Sequence, residues 1–520
     1  MMFRWISTLK FGHVAIICGL SGALLALSFP NFSLWYLAWI GIVPLIVIVS
    51  FFEEKLSFKK TAIAGFVFGF FHFLVGLYWI DIVLEKYGGL PVWLSIPVLI
   101  LLCGYLAFYG LAFAVGIKVF HKNIIPSWLI LPSLWVVLEW IRGKLITGFP
   151  WNLLAYSQTD LKWLRQVADI TGAYGVSWMI VLTNALIARA LIKKRDFSGW
   201  IVLLMFMIAS WWYGNSVLSS NILCKESGFK VAIVQGNIDQ AQKWDEAFRD
   251  MTIQTYANLS FDAVRSGNVD LVVWPESAMP FVYGFIPDLT MRVDGIIDHL
   301  GVPVLFGTIG MTGMTKDARF LNKAYLVEPG GSISGDYAKE HLVPFGEYVP
   351  LQKILFFVHK LVPTAGDFVP GRSSGVISWR GESIGMLICY EVIFPELARK
   401  RVLNGATLFV NISNDAWFGK SSAPYQHLES ARWRAIETKR AIVRATNTGV
   451  SAFIDPFGDI SSSLGLFKAG TLVDSVKTCT GKTFYVRYGD VFVLLCALII
   501  LAATLYFINE RLKKQRGNGL

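Results

Sequence analysis

Runs of about twenty apolar residues, long enough to cross a bilayer as helices, recur through roughly the first 215 positions of this chain and once more near its end. In hydrocarbon every backbone N–H and C=O must be satisfied internally, so runs of this kind are restricted to helices. About eight segments qualify, near 11–29, 34–52, 61–80, 91–117, 124–141, 174–192, 198–216 and 488–509. They predict a polytopic α-helical membrane domain over 1–220 with about seven spans, a final span at 488–509, and a basic cytoplasmic tail at 510–520. The first run reads as a retained span, because further hydrophobic spans follow it. Composition agrees: 54% of residues are hydrophobic and only 16% are charged, against about a quarter charged in soluble domains.

The formal charge of +11 raises the question of a nucleic-acid partner, but the positions of the cations answer it. Arg4 and Lys10, Lys55, Lys59 and Lys60, Lys118 and Lys122, Lys193, Lys194 and Arg195, and Arg511, Lys513, Lys514 and Arg516 all fall on one side of the expected membrane. The alternate loops hold only Lys86, Arg142, Lys144, Lys162 and Arg165. Cations at the ends of apolar runs meet anionic headgroups and set topology. The bias predicts both termini in the cytoplasm, places residues 225–480 on the extracytoplasmic face, and leaves no role for nucleic acid.

The 225–480 insert has a different texture. Short β-branched runs at 230–235, 271–274, 302–309, 384–388, 407–412 and 441–445 alternate with helical stretches at 244–265, 291–300, 395–403 and 425–440. That alternation predicts an α/β domain with buried strands. A hairpin is signalled at 324–337, turning at Gly330-Gly331. The six cysteines form neither a zinc pattern nor a disulfide framework, and no metal or cofactor is expected. Cys224 and Cys479 flank the insert, so a bond between them in an oxidising compartment is one open expectation. The segment 343–371 breaks the pattern with Phe356, Phe357 and other apolar residues among Pro344, Pro350, Pro363 and Pro370. A long loop of that kind is expected to be a lid, with Phe356 and Phe357 dipping toward lipid.

Three residues that could do chemistry each close an expected strand. Glu276 follows Leu271-Val272-Val273-Trp274-Pro275, Lys339 follows the second hairpin strand, and Cys389 follows Ser383-Ile384-Gly385-Met386-Leu387-Ile388. Ligands and catalytic groups collect at the carboxyl ends of strands in α/β folds. A carboxylate can take a thiol proton, a Cys at a strand-to-helix turn can attack a carbonyl, and a Lys can hold the oxyanion. Taken singly, each has a plain structural reading: a buried cysteine, a turn carboxylate, a solvated strand end.

The strings Val273-Trp274-Pro275-Glu276-Ser277, Tyr337-Ala338-Lys339-Glu340-His341-Leu342-Val343-Pro344-Phe345-Gly346-Glu347 and Ile388-Cys389-Tyr390-Glu391 resemble the Glu, Lys and Cys motifs of the nitrilase, or carbon–nitrogen hydrolase, superfamily. Val234-Gln235-Gly236-Asn237, Trp244, Asn414-Asp415-Ala416-Trp417-Phe418-Gly419 and Arg444-Ala445-Thr446-Asn447-Thr448-Gly449 are similar to its membrane branch, the bacterial apolipoprotein N-acyltransferases. Glu139-Trp140-Ile141-Arg142-Gly143 and Thr147-Gly148-Phe149-Pro150-Trp151 extend the likeness into the membrane part.

The resemblance implies a nitrilase-like αββα sandwich mounted on a bacterial inner membrane. It also implies a ping-pong transfer of a fatty acyl chain from a phospholipid, typically phosphatidylethanolamine, onto Cys389. From there the chain passes to the amine of the diacylglyceryl-cysteine that begins an apolipoprotein. Glu276 would be the base and Lys339, with the Tyr390 N–H, would hold the oxyanion. Glu347, Glu391 and Asn414 would support the site, and Trp244 and Trp417 would meet substrate. Glu139 and Arg142 are expected to pair near the outer interface, and His72 and Asn184 to pack or make interhelical hydrogen bonds rather than form a proton path. An amidase using water would need the same triad, but for a small soluble amide the spans and the apolar loop are superfluous.

Overall fold

The computed structural model describes residues 10–51, 55–121, 123–192, 197–220, 224–313, 318–349 and 368–517. The chain divides into two units, one made of Met1–Asp81, Pro91–Ser219 and Asp490–Leu520, the other of Ile82–Leu90 and Ser220–Gly489.

The first unit is helical. Among the described residues, five helices are long and apolar enough to cross a membrane: Phe58–Gly76, Val92–Phe120, Tyr174–Leu191, Phe197–Ser219 and Val491–Gln515. Leu494, Leu498, Leu501 and Leu505 stand exposed along the last of them, as side chains solvated by lipid would. The other expected spans are shorter. Phe11–Ala26 and Ser127–Arg142 have 16 residues each, and the expected span at 34–52 is broken into a 3₁₀ turn, Trp35–Trp39, and a helix, Val43–Phe51.

A break in a buried helix frees backbone groups that need partners. Asn184 supplies them: its amide donates to the Ala38 carbonyl at 2.9 Å and its oxygen accepts from the Ile42 N–H at 2.9 Å. Glu139 and Arg142, expected to pair, each engage the chain that follows their helix. Glu139 Oε1 accepts from the Leu154 N–H at 2.8 Å, and Arg142 donates to the carbonyls of Phe149 at 3.2 Å and Trp151 at 2.7 Å.

The second unit is built on two six-strand arrays. The first runs in the order Gly470–Cys479, Cys224–Gln235, Leu271–Val273, Val304–Met311, Phe320–Val327, Ile333–Ala338, with short Met279–Val282 added beside Val304–Met311. The second runs Ile460–Leu464, Ser451–Ile454, Ile442–Thr446, Leu408–Ser413, Glu382–Ile388, Val376–Trp379. Alternation along a strand sends neighbouring side chains to opposite faces. Val231, Ile233, Leu271 and Val273 therefore join Ile384, Met386, Ile388, Val410 and Val443 in the core between the sheets. Ala232, Val234, Val272 and Trp274 face the other way, against helices Arg249–Ser266 and Pro287–Leu300. Helices Pro395–Leu403 and Ala423–Thr438 accompany the second sheet, completing an αββα sandwich of nitrilase type.

Cys224 and Cys479 lie opposite each other in the Cys224–Gln235/Gly470–Cys479 ladder and are joined as a disulfide. The expected hairpin is present, Phe320–Val327 paired antiparallel with Ile333–Ala338.

Candidate active site

The parallel strands Leu271–Val273, Glu382–Ile388, Leu408–Ser413 and Ile442–Thr446 release Glu276, Cys389, Asn414 and Asn447 at their carboxyl ends. Lys339 arrives from the end of Ile333–Ala338. Glu276, Lys339 and Cys389 are all buried, at 6%, 1% and 9% exposure. A buried charge is tolerable only when paired and hydrogen-bonded, and here Glu276 and Lys339 pair across two of the strand ends.

Glu276 uses both carboxylate oxygens. Oε1 accepts from Asn322 Nδ2 at 2.7 Å and lies 3.5 Å from Lys339 Nζ, while Oε2 accepts from the Asn414 backbone N–H at 2.8 Å. Its backbone runs so close to Gly307 that a Cβ there would sit 2.6 Å from the Glu276 Cα, so only glycine fits. Lys339 Nζ is 3.0 Å from Glu347, whose Oε1 also takes the other hydrogen of the Asn322 amide, at 2.8 Å. Glu347 Oε2 closes its own turn through the Val343 N–H at 2.7 Å.

Cys389 opens the 3₁₀ helix Cys389–Ile393 with φ of 51°, the left-handed region that side-chain-bearing residues seldom occupy. Such strain persists only where the surroundings over-determine it. Glu391, fully buried, does much of that work. Its Oε2 accepts from the Ile388 N–H at 2.8 Å; its Oε1 accepts from the Tyr337 hydroxyl at 2.7 Å and from the N–H groups of Glu340 at 2.7 Å and His341 at 3.1 Å. One carboxylate thus fastens the cysteine's strand to the segment that carries Lys339.

Burial opposes the charge on Lys339, but Glu347 and then Glu276 more than offset it and hold the ammonium above the usual lysine range. Burial, followed by the Glu276 carboxylate, pushes the Cys389 thiol up, while Lys339 pulls it down. The thiol thus sits under two influences of opposite sign, and a thiol raised in this way needs a base before it can attack a carbonyl.

The remaining sequence candidates are placed as follows. Asn414 also donates its side-chain amide to Gln240 Oε1 at 2.7 Å and accepts from Asn447 Nδ2 at 3.2 Å. Tyr390 packs its ring edge-on to Phe394, with centroids 5.1 Å apart. Trp417 meets Tyr87 edge-on at 5.5 Å. Trp244 follows the short helix Gln240–Lys243 and has its indole N–H buried with no hydrogen-bond partner among the described residues. Phe356 and Phe357 lie outside the described residues. The flanks of their loop are fixed on the Lys339 strand end: Val369 N–H donates to the Phe320 carbonyl and Gly371 N–H to the Lys339 carbonyl, at 2.9 and 2.8 Å.

Sequence reasoning missed Asn322 and Lys243. Asn322 sits in an ordinary hairpin strand between Leu321 and Lys323, where nothing marks a fork between two carboxylates. Lys243 is buried, donates to the Glu276 carbonyl at 3.1 Å, and is lowered to about 8 by burial, with Glu276 and Cys389 acting in the opposite sense. Its place beside Trp244 was its only cue.

The apolipoprotein N-acyltransferase N-terminal domain matches residues 21–186 and the carbon-nitrogen hydrolase domain residues 230–480. Apolipoprotein N-acyltransferase from Geobacter metallireducens is 41% identical, with 95% of this chain and 96% of that protein covered. Those from Shewanella oneidensis (33% identical, 94% and 94% covered) and Vibrio cholerae (31%, 90% and 92%) are also similar. Among solved structures, an amidase from Nesterenkonia sp. is 21% identical over 53% of this chain and 98% of its own, with a TM-score of 0.38. Taken with the two domains matched at 21–186 and 230–480, the three N-acyltransferase relatives show that the protein belongs to the apolipoprotein N-acyltransferase family.

Proposed function

We propose that the protein transfers a fatty acyl chain from a phospholipid, with phosphatidylethanolamine as donor, to the free amine of the diacylglyceryl-cysteine at the N-terminus of an apolipoprotein. The observation that carries this reading is the convergence of Glu276, Lys339 and Cys389 in a chain of this family that also bears long apolar helices.

In the first half-reaction Cys389 Sγ attacks the ester carbonyl and its proton passes to Glu276. Lys339 Nζ and the Tyr390 N–H hold the oxyanion. The ester C–O bond then breaks, Glu276 returns the proton to the departing lysolipid oxygen, and a thioester remains. In the second half the acceptor amine attacks the thioester and gives a proton to Glu276. The C–S bond breaks, and the sulfur recovers that proton. Amide formation from a thioester is downhill, which gives the transfer its direction.

The short helices Phe11–Ala26 and Ser127–Arg142 and the interrupted Trp35–Phe51, added to the five long ones, make eight crossings of an inner membrane. The lysine and arginine bias supports cytoplasmic termini. A disulfide at Cys224–Cys479 suits an extracytoplasmic, oxidising location for the second unit.

The test supplies purified protein with phospholipid labelled in one acyl chain and a synthetic diacylglyceryl peptide. Label should appear as an N-acyl amide on the peptide, and Cys389→Ala should abolish it. Release of free fatty acid at the same rate without acceptor would identify water as the natural acceptor and overturn the proposal.

A further inference from the structure

The mechanism above gives no task to His427, yet this imidazole is fully buried directly behind the nucleophile. Its Nε2 lies 3.1 Å from the Cys389 carbonyl oxygen. A carbonyl can only accept, so Nε2 carries a hydrogen whatever the charge of the ring. The opposite nitrogen, Nδ1, faces Asp415 Oδ1 at 3.0 Å and an Arg444 nitrogen at 3.1 Å. Arg444 in turn binds Asp415 Oδ2 at 2.7 Å and also reaches Asn411 Oδ1, and Ser413 donates to Asp415 Oδ1 at 2.7 Å. The Phe418 ring stands edge-on to the imidazole at 6.0 Å. Every charged member of this chain is essentially sealed from solvent.

The Cys389 carbonyl and the Tyr390 N–H belong to one peptide unit. A trans peptide is planar and its C=O and N–H point in opposite directions, so whatever fixes the carbonyl also aims the N–H. Cys389 is left-handed, and its following peptide plane would rotate toward relaxed geometry if it were released. We propose that His427 is a positioning residue: by holding the Cys389 carbonyl from behind, with Asp415 and Arg444 locking the ring, it aims the Tyr390 N–H at the developing oxyanion. This rests on the thioester reading given above, and it adds a group that never touches substrate.

The test exploits a difference between two reactions of the same sulfur. Acylation by phospholipid passes through an oxyanion; alkylation by iodoacetamide does not. Both rates are measured at Cys389 by peptide mass spectrometry on the full-length protein in micelles, which separates it from the other free thiols, Cys18, Cys103 and Cys496. In His427→Leu and in His427→Asn, whose amide is too short to reach the carbonyl, thioester formation should fall at least about tenfold, short of the roughly hundredfold expected for deleting an oxyanion donor outright. Alkylation should stay within about twofold of wild type. His427→Gln places an amide N–H near the original Nε2 and should recover most of the acylation rate. Parallel losses in both reactions, unchanged acylation in both the Leu and Asn variants, or no recovery with Gln would each overturn the inference. A wild-type protein that formed no adduct at Cys389 would instead sink the thioester reading, and this one with it.

Discussion

Lys339 is the residue on which the electrostatics of the site turn. It is the only ammonium in contact with both Glu276 and Glu347 among the described residues, and Asn322 donates to the same two carboxylates. Glu276 raises the Cys389 thiol and Lys339 lowers it, which yields a prediction with opposing signs. Removing the carboxylate in Glu276→Gln removes a group that disfavours the thiolate, so the pH midpoint for iodoacetamide alkylation should move down. Thioester formation should nevertheless fall, by about a hundredfold or more, because the base is gone. Stopped reactions analysed by mass over a pH series that extends well above the ordinary thiol range would check both; a midpoint that stays fixed with wild-type acylation removes Glu276 from the role of base.

Lys339→Met should move the alkylation midpoint the other way, upward. Of the three residues proposed for catalysis, Glu276 and Cys389 could be picked out in the sequence because each follows a readable apolar strand, and Lys339 because it ends the second strand of a hairpin marked by Gly330-Gly331. The groups that organise them were not legible as a network. Glu391, Asn322 and His427 owe their roles to contacts between segments 25 to 54 positions apart, which periodicity does not report.

At the scale of elements, the described end of the loop after Lys339 is hydrogen-bonded to the hairpin strands, through Val369 to Phe320 and through Gly371 to Lys339. Gly371 lies so close to the preceding strand that an added Cβ would meet the Ala338 carbonyl at 2.2 Å. Gly371→Ala should therefore displace the chain next to Lys339, costing about 1–3 kcal/mol of stability and a larger share of acyl transfer than of alkylation. Thermal denaturation alongside a transfer assay measures both, and wild-type behaviour in both would show that the flank is freely adjustable.

Phe357, outside the described residues, carries the lid expectation. Phe357→Asp should impair use of bilayer phospholipid far more than use of a short soluble thioester donor; equal losses with both donors would make the loop structural. The main strands were readable from β-branched runs. The edge strands of the second sheet were not: Ile460–Leu464 has three serines at its centre, and Val376–Trp379 is four residues long. The break within the second expected span was not readable because the apolar run continues through Ile40–Ile42, where Asn184 satisfies the freed groups from far along the chain.

On the scale of the whole molecule, the first and last strands of the second unit are tied by a bond spanning 255 residues of sequence. Closing so long a loop removes disorder from the unfolded chain worth on the order of 5–6 kcal/mol. Cys224→Ser should lower the denaturation temperature while leaving the reactivity of Cys389 intact, since the bond joins the start of Cys224–Gln235 to the end of Gly470–Cys479, whereas Cys389 follows the carboxyl end of Glu382–Ile388. Loss of the Cys389 adduct in a still-folded Cys224→Ser protein would show that the two are coupled.

The central claim is that one chain carries the acyl group covalently between two lipids, and it has a direct measurement. Purified wild-type protein incubated with phospholipid alone is digested and analysed by mass spectrometry. The account predicts a fatty acyl mass on the Cys389 peptide that is released by hydroxylamine and disappears when the diacylglyceryl peptide is added, with matching amide product. Amide product formed at full rate with no acyl group ever found on Cys389, or formed by Cys389→Ala, would contradict it.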